Sequence, residues 1–260
     1  MSKGLVIVTG ASTGIGFELA KLAAQDGYDL VVAANEPRID AAAHEFEAFG
    51  TRVNAVEVDL STIEGVDTLL AAAGGRTINV LIANAGISKG GAFLDQDVAS
   101  WQHSIGTNVT GTIYLLQHVL RDMVARDAGK VLVTGSIVGY IPGPFNAIYN
   151  ATKAFIDNFT EALRNELKER KGVTLTTLMP GATDTEFFDR AEMRDTQVGQ
   201  DDSKADPAKV AKDGWDAMLS GKGHIVSGIL NKAQVLASGV VPQAALAEQH
   251  RKMAEPGGSQ

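Results

Sequence analysis

The 260-residue chain contains no cysteine. That excludes disulfides, thiolate metal sites and a cysteine nucleophile. Positive charge is scarce: 23 Lys and Arg stand against 31 Asp and Glu, a net charge of −8. Nucleic-acid binding needs a basic footprint, so this balance argues against it. No apolar run approaches the ~20 residues of a membrane-spanning helix. The five histidines, His44, His103, His118, His224 and His250, are scattered. No pair has ligand spacing with a carboxylate, so each reads as a surface or helix-packing residue and no metal is expected. The first apolar run starts at residue 5, which leaves no room for a signal peptide and predicts a cytoplasmic protein. Gly135-Ser136-Ile137-Val138-Gly139 is not a nucleophile elbow, because Thr134 precedes it where that motif needs glycine.

Glycine and short aliphatic runs are what the chain does have, with 28 Gly and 45% apolar residues. Val/Ile/Leu-rich runs at 5–9, 29–33, 52–58, 80–84, 130–134, 174–179 and 224–227 alternate with Ala-rich amphipathic stretches. Strands alternating with helices predict βαβ units and a parallel sheet. No internal repeat, low-complexity linker or domain boundary is visible. One domain over 1–254 is expected, with a disordered end at 255–260.

The first run, Leu5-Val6-Ile7-Val8-Thr9, breaks into Gly10-Ala11-Ser12-Thr13-Gly14-Ile15-Gly16 and then a helical pattern from Phe17. Glycine lets a backbone turn tightly and approach a phosphate. The following helix N-terminus presents free N–H groups and a positive dipole end to an anion. This is a dinucleotide site of the strand-turn-helix kind, although its glycine spacing differs from G-x-G-x-x-G.

Tyr149 and Lys153 stand four apart, on one helix face. A cation beside a phenol favours the phenolate, so Lys153 is expected to lower the Tyr149 pKa towards working pH. Ser136 lies thirteen residues before the tyrosine.

Together these segments resemble the short-chain dehydrogenase/reductase family in its compact single-domain form. Thr9-Gly10-Ala11-Ser12-Thr13-Gly14-Ile15-Gly16 is similar to its pyrophosphate turn, and Asp59-Leu60 to the pair beside the adenine. Ala83-Asn84-Ala85-Gly86 resembles its N-A-G motif, and Pro180-Gly181 the turn near the nicotinamide, with Thr183 and Thr185 following. Asn108, Ser136, Tyr149 and Lys153 match the order and spacing of its catalytic tetrad. The resemblance implies an α/β Rossmann-type doubly wound parallel sheet of about seven strands. It implies hydride transfer between a nicotinamide coenzyme and a ketone or secondary alcohol. Ser136 would bond the substrate oxygen, Tyr149 would pass the proton, and Lys153 would also hold the ribose hydroxyls. Asn108 would hold a helix irregularity and a water linking Lys153 to solvent.

Coenzyme choice turns on Asn35-Glu36-Pro37-Arg38. An acidic residue here binds ribose hydroxyls and repels a 2′-phosphate, whereas arginine accepts the phosphate. Glu36 with the neutral Ser12 and Thr13 favours NAD(H) modestly, and Asn35 with Arg38 leaves NADP(H) open. Phe187, Phe188 and Met193, in a segment 183–200 that reads as a flap or helix pair, suggest a largely apolar substrate. The stretch after residue 228 could cover the site, meet a partner or form a surface helix. Apolar positions Ile113, Leu116, Val119, Leu120 and Met123, with Phe155, Phe159, Leu163 and Leu167, exceed what one sheet face needs. In the resembled family such helices build homodimers or homotetramers. The other readings are a dinucleotide-binding sensor on the same fold and an epimerase or dehydratase of the extended branch. The intact tetrad disfavours the first; the glycine spacing and the missing extra domain disfavour the second.

Overall fold

The computed structural model describes residues 2–258. Seven strands, β1 (Leu5–Thr9), β2 (Asp29–Ala34), β3 (Val53–Glu57), β4 (Ile78–Ala83), β5 (Gly129–Thr134), β6 (Val173–Met179) and β7 (His224–Val226), form one sheet. All pairs are parallel, in the order β3-β2-β1-β4-β5-β6-β7. The helices are α1 (Gly14–Gln25), α2 (Arg38–Glu47), α3 (Ile63–Ala71), α4 (Val98–Ile105), α5 (Thr112–Ala125), α6 (Ala147–Glu166), α7 (Phe187–Arg190), α8 (Gln197–Gln200), α9 (Pro207–Leu219), α10 (Ile229–Ser238) and α11 (Gln243–Ala254).

The two-residue period of the strands divides the core. Val6 and Val8 of β1 face a layer made by α1, α2 and α9, including Leu19, Phe46 and Trp215. Leu5 and Ile7 face the opposite layer, where α3, α5 and α6 contribute Leu69, Leu116 and Ile156. Each fully buried aliphatic side chain contributes about 1.5–3 kcal/mol, so both layers hold the sheet, and exposed polar residues such as Asn54 and Glu57 appear on the edge strand β3. This is the single Rossmann-type domain.

Strand β4 stops at Ala83, one residue before the expected end. The reason is local: the Asn84 side-chain amide turns to donate to Thr9 O (3.1 Å) and Gly10 O (3.2 Å), leaving the strand path. Strand order reverses between β1 and β4, and a crevice opens there at the carboxyl ends of the strands. Gly10 sits beside it with φ +66°, and a Cβ at this position would lie 2.9 Å from Ala85 Cα. A larger residue would push the two loops apart.

Most of the apolar positions on α5 and α6 are used by their own sheet. Leu116, Val119, Leu120 and Met123 are buried, and Ile113, Phe159, Leu163 and Leu167 are partly so. Phe155 stays 43% exposed and stacks on Phe159 at 5.7 Å. At the end of the chain, residues 255–258 form a turn in which Gly257 N–H donates to Asp195 O at 3.1 Å. The expectation of a disordered end also covers Ser259 and Gln260, which lie outside the described residues. Among the described residues no helix is long and apolar enough to cross a membrane, and no group of His, Cys, Asp or Glu could hold a metal ion.

Candidate active site

The crevice is a cavity of about 810 Å³. Its walls include every expected coenzyme residue except Glu36, which stands just behind Ser12. Gly10, Ser12, Thr13, Gly14, Ile15 and Gly16 form the floor beneath the start of α1. The Thr13 side chain makes no capping bond there, so the first N–H groups of α1 face the cavity unspent. An uncapped helix N-terminus in a glycine turn fits a pyrophosphate. Asn35, exposed, and Asp59 with Leu60 line the end where adenosine is expected, and Asn84, Ala85 and Gly86 the middle. Asp59 accepts from Ser61 N–H (2.9 Å) and meets His103 Nε2 at 3.2 Å, a partner the sequence reading did not assign. Thr183 donates to Gly181 O at 3.0 Å, and Thr185 packs against Gly14.

Ser136, Tyr149 and Lys153 come together at the far end. Ser136 follows β5, and its hydroxyl donates to Pro180 O at 3.3 Å. Tyr149 lies on α6, its ring 5.0 Å from that of Phe187. Lys153, one turn on, sends Nζ to Thr134 O at 2.7 Å and lies 5.6 Å from the Tyr149 ring centre. Asn108 does not line the cavity. It sits in a π-helical turn, Gly106–Gly111, between α4 and α5. Its amide donates to Ile87 O (2.8 Å) and Thr152 Oγ1 (3.0 Å) and accepts from Ile87 N–H (2.8 Å). The expected helix irregularity is therefore present, and Asn108 fastens the loop after β4 to α6.

The net shift of Tyr149 in this state runs upward, opposite to the expected lowering. Burial pushes the Tyr149 phenol up, Asp157 pushes it further, and only a bond from Ser136 pulls it back. Lys153 donates one N–H to the Thr134 carbonyl, and burial pushes its own pKa down to about 8 while Asp157 pushes it back up.

Asp157 is the residue sequence reasoning missed at this end. It is only 9% exposed and stands one turn beyond Lys153, a spacing that was available as a signal. Neither carboxylate oxygen has a hydrogen-bond partner. The Ser136 N–H turns its partial charge towards the carboxylate without reaching hydrogen-bond geometry. The approach needs glycine: a Cβ at Gly139 would lie 2.7 Å from Oδ2, and one at Gly135 would overlap Oδ1. Burial drives the Asp157 pKa up and that of Lys153 down, while each charge partly restores the other.

The segment after β6 forms two short helices, α7 and α8, in place of an open flap. Phe187 faces Tyr149, while Phe188 is buried with Ala191, Met193 and Ala254. The C-terminal helices border the site: Ile229 and Leu230 of α10, exposed at its rim, and His250 and Met253 of α11 line the cavity. His250 is buried, its ring 3.1 Å from Pro144 O, and so acts in helix packing. At the adenosine end Arg190 and Glu186, also unforeseen, meet Glu36 and Arg38.

A strand-turn-helix coenzyme floor and a Ser-Tyr-Lys group in one crevice define a nicotinamide-dependent oxidoreductase. The comparisons agree. Residues 4–195 match the short chain dehydrogenase family. The chain is 34% identical over 184 residues to an uncharacterized oxidoreductase of Staphylococcus epidermidis, covering 70% of this chain and 78% of that one. A short-chain dehydrogenase from Sphingobium yanoikuyae in complex with NADPH superposes with a TM-score of 0.80 at 27% identity, covering 93% and 97% of the two chains. A short chain dehydrogenase/reductase from Burkholderia phymatum in complex with NAD has the same fold, with a TM-score of 0.82, 24% identity, and 90% and 92% coverage. The chain belongs to the short-chain dehydrogenase/reductase family and is an NAD(P)-dependent oxidoreductase.

Proposed function

We propose that the enzyme transfers a hydride between NAD(H), in preference to NADP(H), and a ketone or secondary alcohol whose bulk is largely apolar. The observation that carries this reading is the shared cavity. Ser136, Tyr149 and Lys153 meet there, and Phe187, Met193, Ile229 and Leu230 complete its walls. A bound nicotinamide supplies or accepts the hydride. The chain's own residues do the rest. The Ser136 hydroxyl exchanges its long bond to Pro180 O for the substrate oxygen. In ketone reduction Tyr149 gives that oxygen its proton as the carbonyl carbon gains the hydride. Lys153 turns from Thr134 O to the ribose hydroxyls, and in that position its retained charge favours the phenolate. Asn108 keeps the loop after β4 in register with α6.

Glu36 supports the NAD(H) preference. Burial would push its pKa up, but Ser12, Arg38 and Arg190 outweigh that, so the carboxylate stays ionised below its usual range. A fixed negative charge at the strand end opposes a 2′-phosphate. We place the enzyme in the cytoplasm as a homodimer or homotetramer, with exposed Phe155 supporting a pairing surface on α6. The test is a panel of ketones and secondary alcohols, from small polar to bulky apolar, with NADH or NADPH read by nicotinamide absorbance. Turnover of apolar members with NADH ahead of NADPH is expected. A tenfold NADPH preference, or turnover confined to small charged substrates, overturns the corresponding part.

A further inference from the structure

Four charged side chains close a ring at the adenosine end of the cavity. Glu36, after β2, accepts from Arg38 Nε (3.2 Å) and Nη2 (3.0 Å). Arg38, at the start of α2, reaches across to Glu186, donating through Nη1 (2.8 Å) and Nη2 (2.6 Å). Glu186 accepts from Arg190 Nη2 at 3.1 Å, and the same nitrogen reaches Glu36 Oε1 at 2.8 Å, which closes the ring. The glycine turn joins it twice: Ser12 Oγ donates to Glu36 Oε1 at 2.5 Å, and Arg190 Nη2 donates to Thr13 Oγ1 at 3.2 Å. Arg190 lines the cavity beside Ser12 and Thr13.

Two of the four members come from the segment after β6, which also carries Phe187 against Tyr149. A determinant of coenzyme choice is therefore mounted on the element that covers the reacting end. Guanidinium groups take phosphate through paired N–H donors. In this ring the two guanidinium groups are already occupied, Arg38 by both carboxylates and Arg190 by both as well. The four members are between one-fifth and one-half exposed. Exposed ion pairs are individually weak, so an incoming dianion of the right geometry can displace a carboxylate, whereas a neutral hydroxyl cannot.

We propose that Glu186 and Arg190 are specificity-determining residues for the 2′ position of the coenzyme's adenosine ribose. Glu186 holds both arginines and adds a second negative charge where a 2′-phosphate would sit. Arg190 is the group that would receive that phosphate if Glu186 were neutral. The inference rests on the dinucleotide reading above and extends it to residues about 150 positions from the strand end in sequence.

Dissociation constants of NADH and NADPH, measured by quenching of protein fluorescence, test it on the wild-type chain and on Glu186→Gln, Arg190→Gln and the double variant. Hydrogen exchange of residues 183–200 in the coenzyme-free proteins is the second readout. Loss of one charge–charge contact is worth about tenfold in affinity. Glu186→Gln should tighten NADPH by about that factor relative to any change in NADH, and the double variant should lose the gain. Arg190→Gln should speed exchange over 183–200 before any coenzyme is added. If both coenzymes bind and Glu186→Gln moves them alike, or the gain survives in the double variant, the inference fails while the dinucleotide reading stands. Binding of neither coenzyme by the folded wild-type chain overturns both.

Discussion

Lys153→Met removes one buried charge and keeps most of the stem, so its consequence can be worked from a distance. The ammonium lies 5.6 Å from the centre of the Tyr149 ring. At an effective dielectric of about 20, a unit charge at that separation is worth about 3 kcal/mol, or about two pKa units. In ketone reduction Tyr149 must carry its proton, and activity is lost as pH rises through its pKa. Without the ammonium that pKa rises, so the alkaline limb of kcat/KM should move about two pH units higher. In alcohol oxidation the phenolate is the working form, and the rate at pH 8 should fall about a hundredfold. Dinucleotide affinity should fall with it, because the same Nζ is proposed to hold the ribose.

The assay is a kcat/KM profile for one ketone from pH 6 to 11, with NADH binding measured in parallel and a melting curve to establish folding. An alkaline limb that stays in place in a folded variant would show that Lys153 does not act on Tyr149. Weaker NADH binding with an unmoved limb would leave Lys153 a coenzyme ligand alone.

Tyr149→Phe should lower turnover by about 10²–10⁴-fold with NADH affinity nearly intact; retention of a tenth of the activity would remove Tyr149 as the acid. Burial raises the Asp29 pKa, but bonds from the Arg52 side chain and main chain and from Arg76 outweigh it, holding the pKa at about 2 against 3.8 in the unfolded chain. The stability this supplies is present above 3.8 and lost as pH falls towards 2. Urea midpoints of wild type and Asp29→Asn should therefore differ at pH 5 and approach each other at pH 2.5. Light scattering at micromolar concentration should give a dimer or larger, shifted towards monomer by Phe155→Asp; a wild-type monomer would reject the pairing surface.

What the sequence shows of this site is what lies close together along the chain. The glycine turn is one strand-to-helix passage, and Tyr149 and Lys153 are one helical turn apart. The short aliphatic runs placed all seven strands, and β4 differs most, starting two residues early at Ile78 and ending one residue early, where Asn84 bonds across to β1. Arg190 and Glu186 were invisible for the opposite reason: their partners lie across the fold, on loops that only the sheet brings together. Asp157 was visible as a fourth residue after Lys153, but not as a buried carboxylate. That required Gly135 and Gly139 to come up against it. Tyr149 is less acidic than its spacing from Lys153 implies, because burial raises its pKa.

Helix α6 shows how far the site departs from simple packing. Its buried positions include Asn150, Thr152, Lys153, Asp157 and Thr160, where a packing helix would place aliphatics. Asn150 and Thr152 have partners in Val138 O, Ile141 O and Asn108. The Lys153–Asp157 pair is coupled through charge alone, with neither carboxylate oxygen hydrogen-bonded. A buried ion pair left short of hydrogen bonds is often less stable than an uncharged replacement, and such a cost persists where function needs the charge. The prediction is a stability order. Lys153→Met alone strands a buried carboxyl whose pKa burial raises; Lys153→Met with Asp157→Asn does not. An acid with a raised folded pKa loses stability as pH rises from its unfolded value to its folded one. The single variant should therefore fall progressively below the double as pH rises from about 4 through 7, and the double should melt no lower than wild type while binding coenzyme less well. A double variant that melts below the single at pH 8 would mean that the pair holds α6 in place, and that the charge belongs to the fold before it belongs to the chemistry.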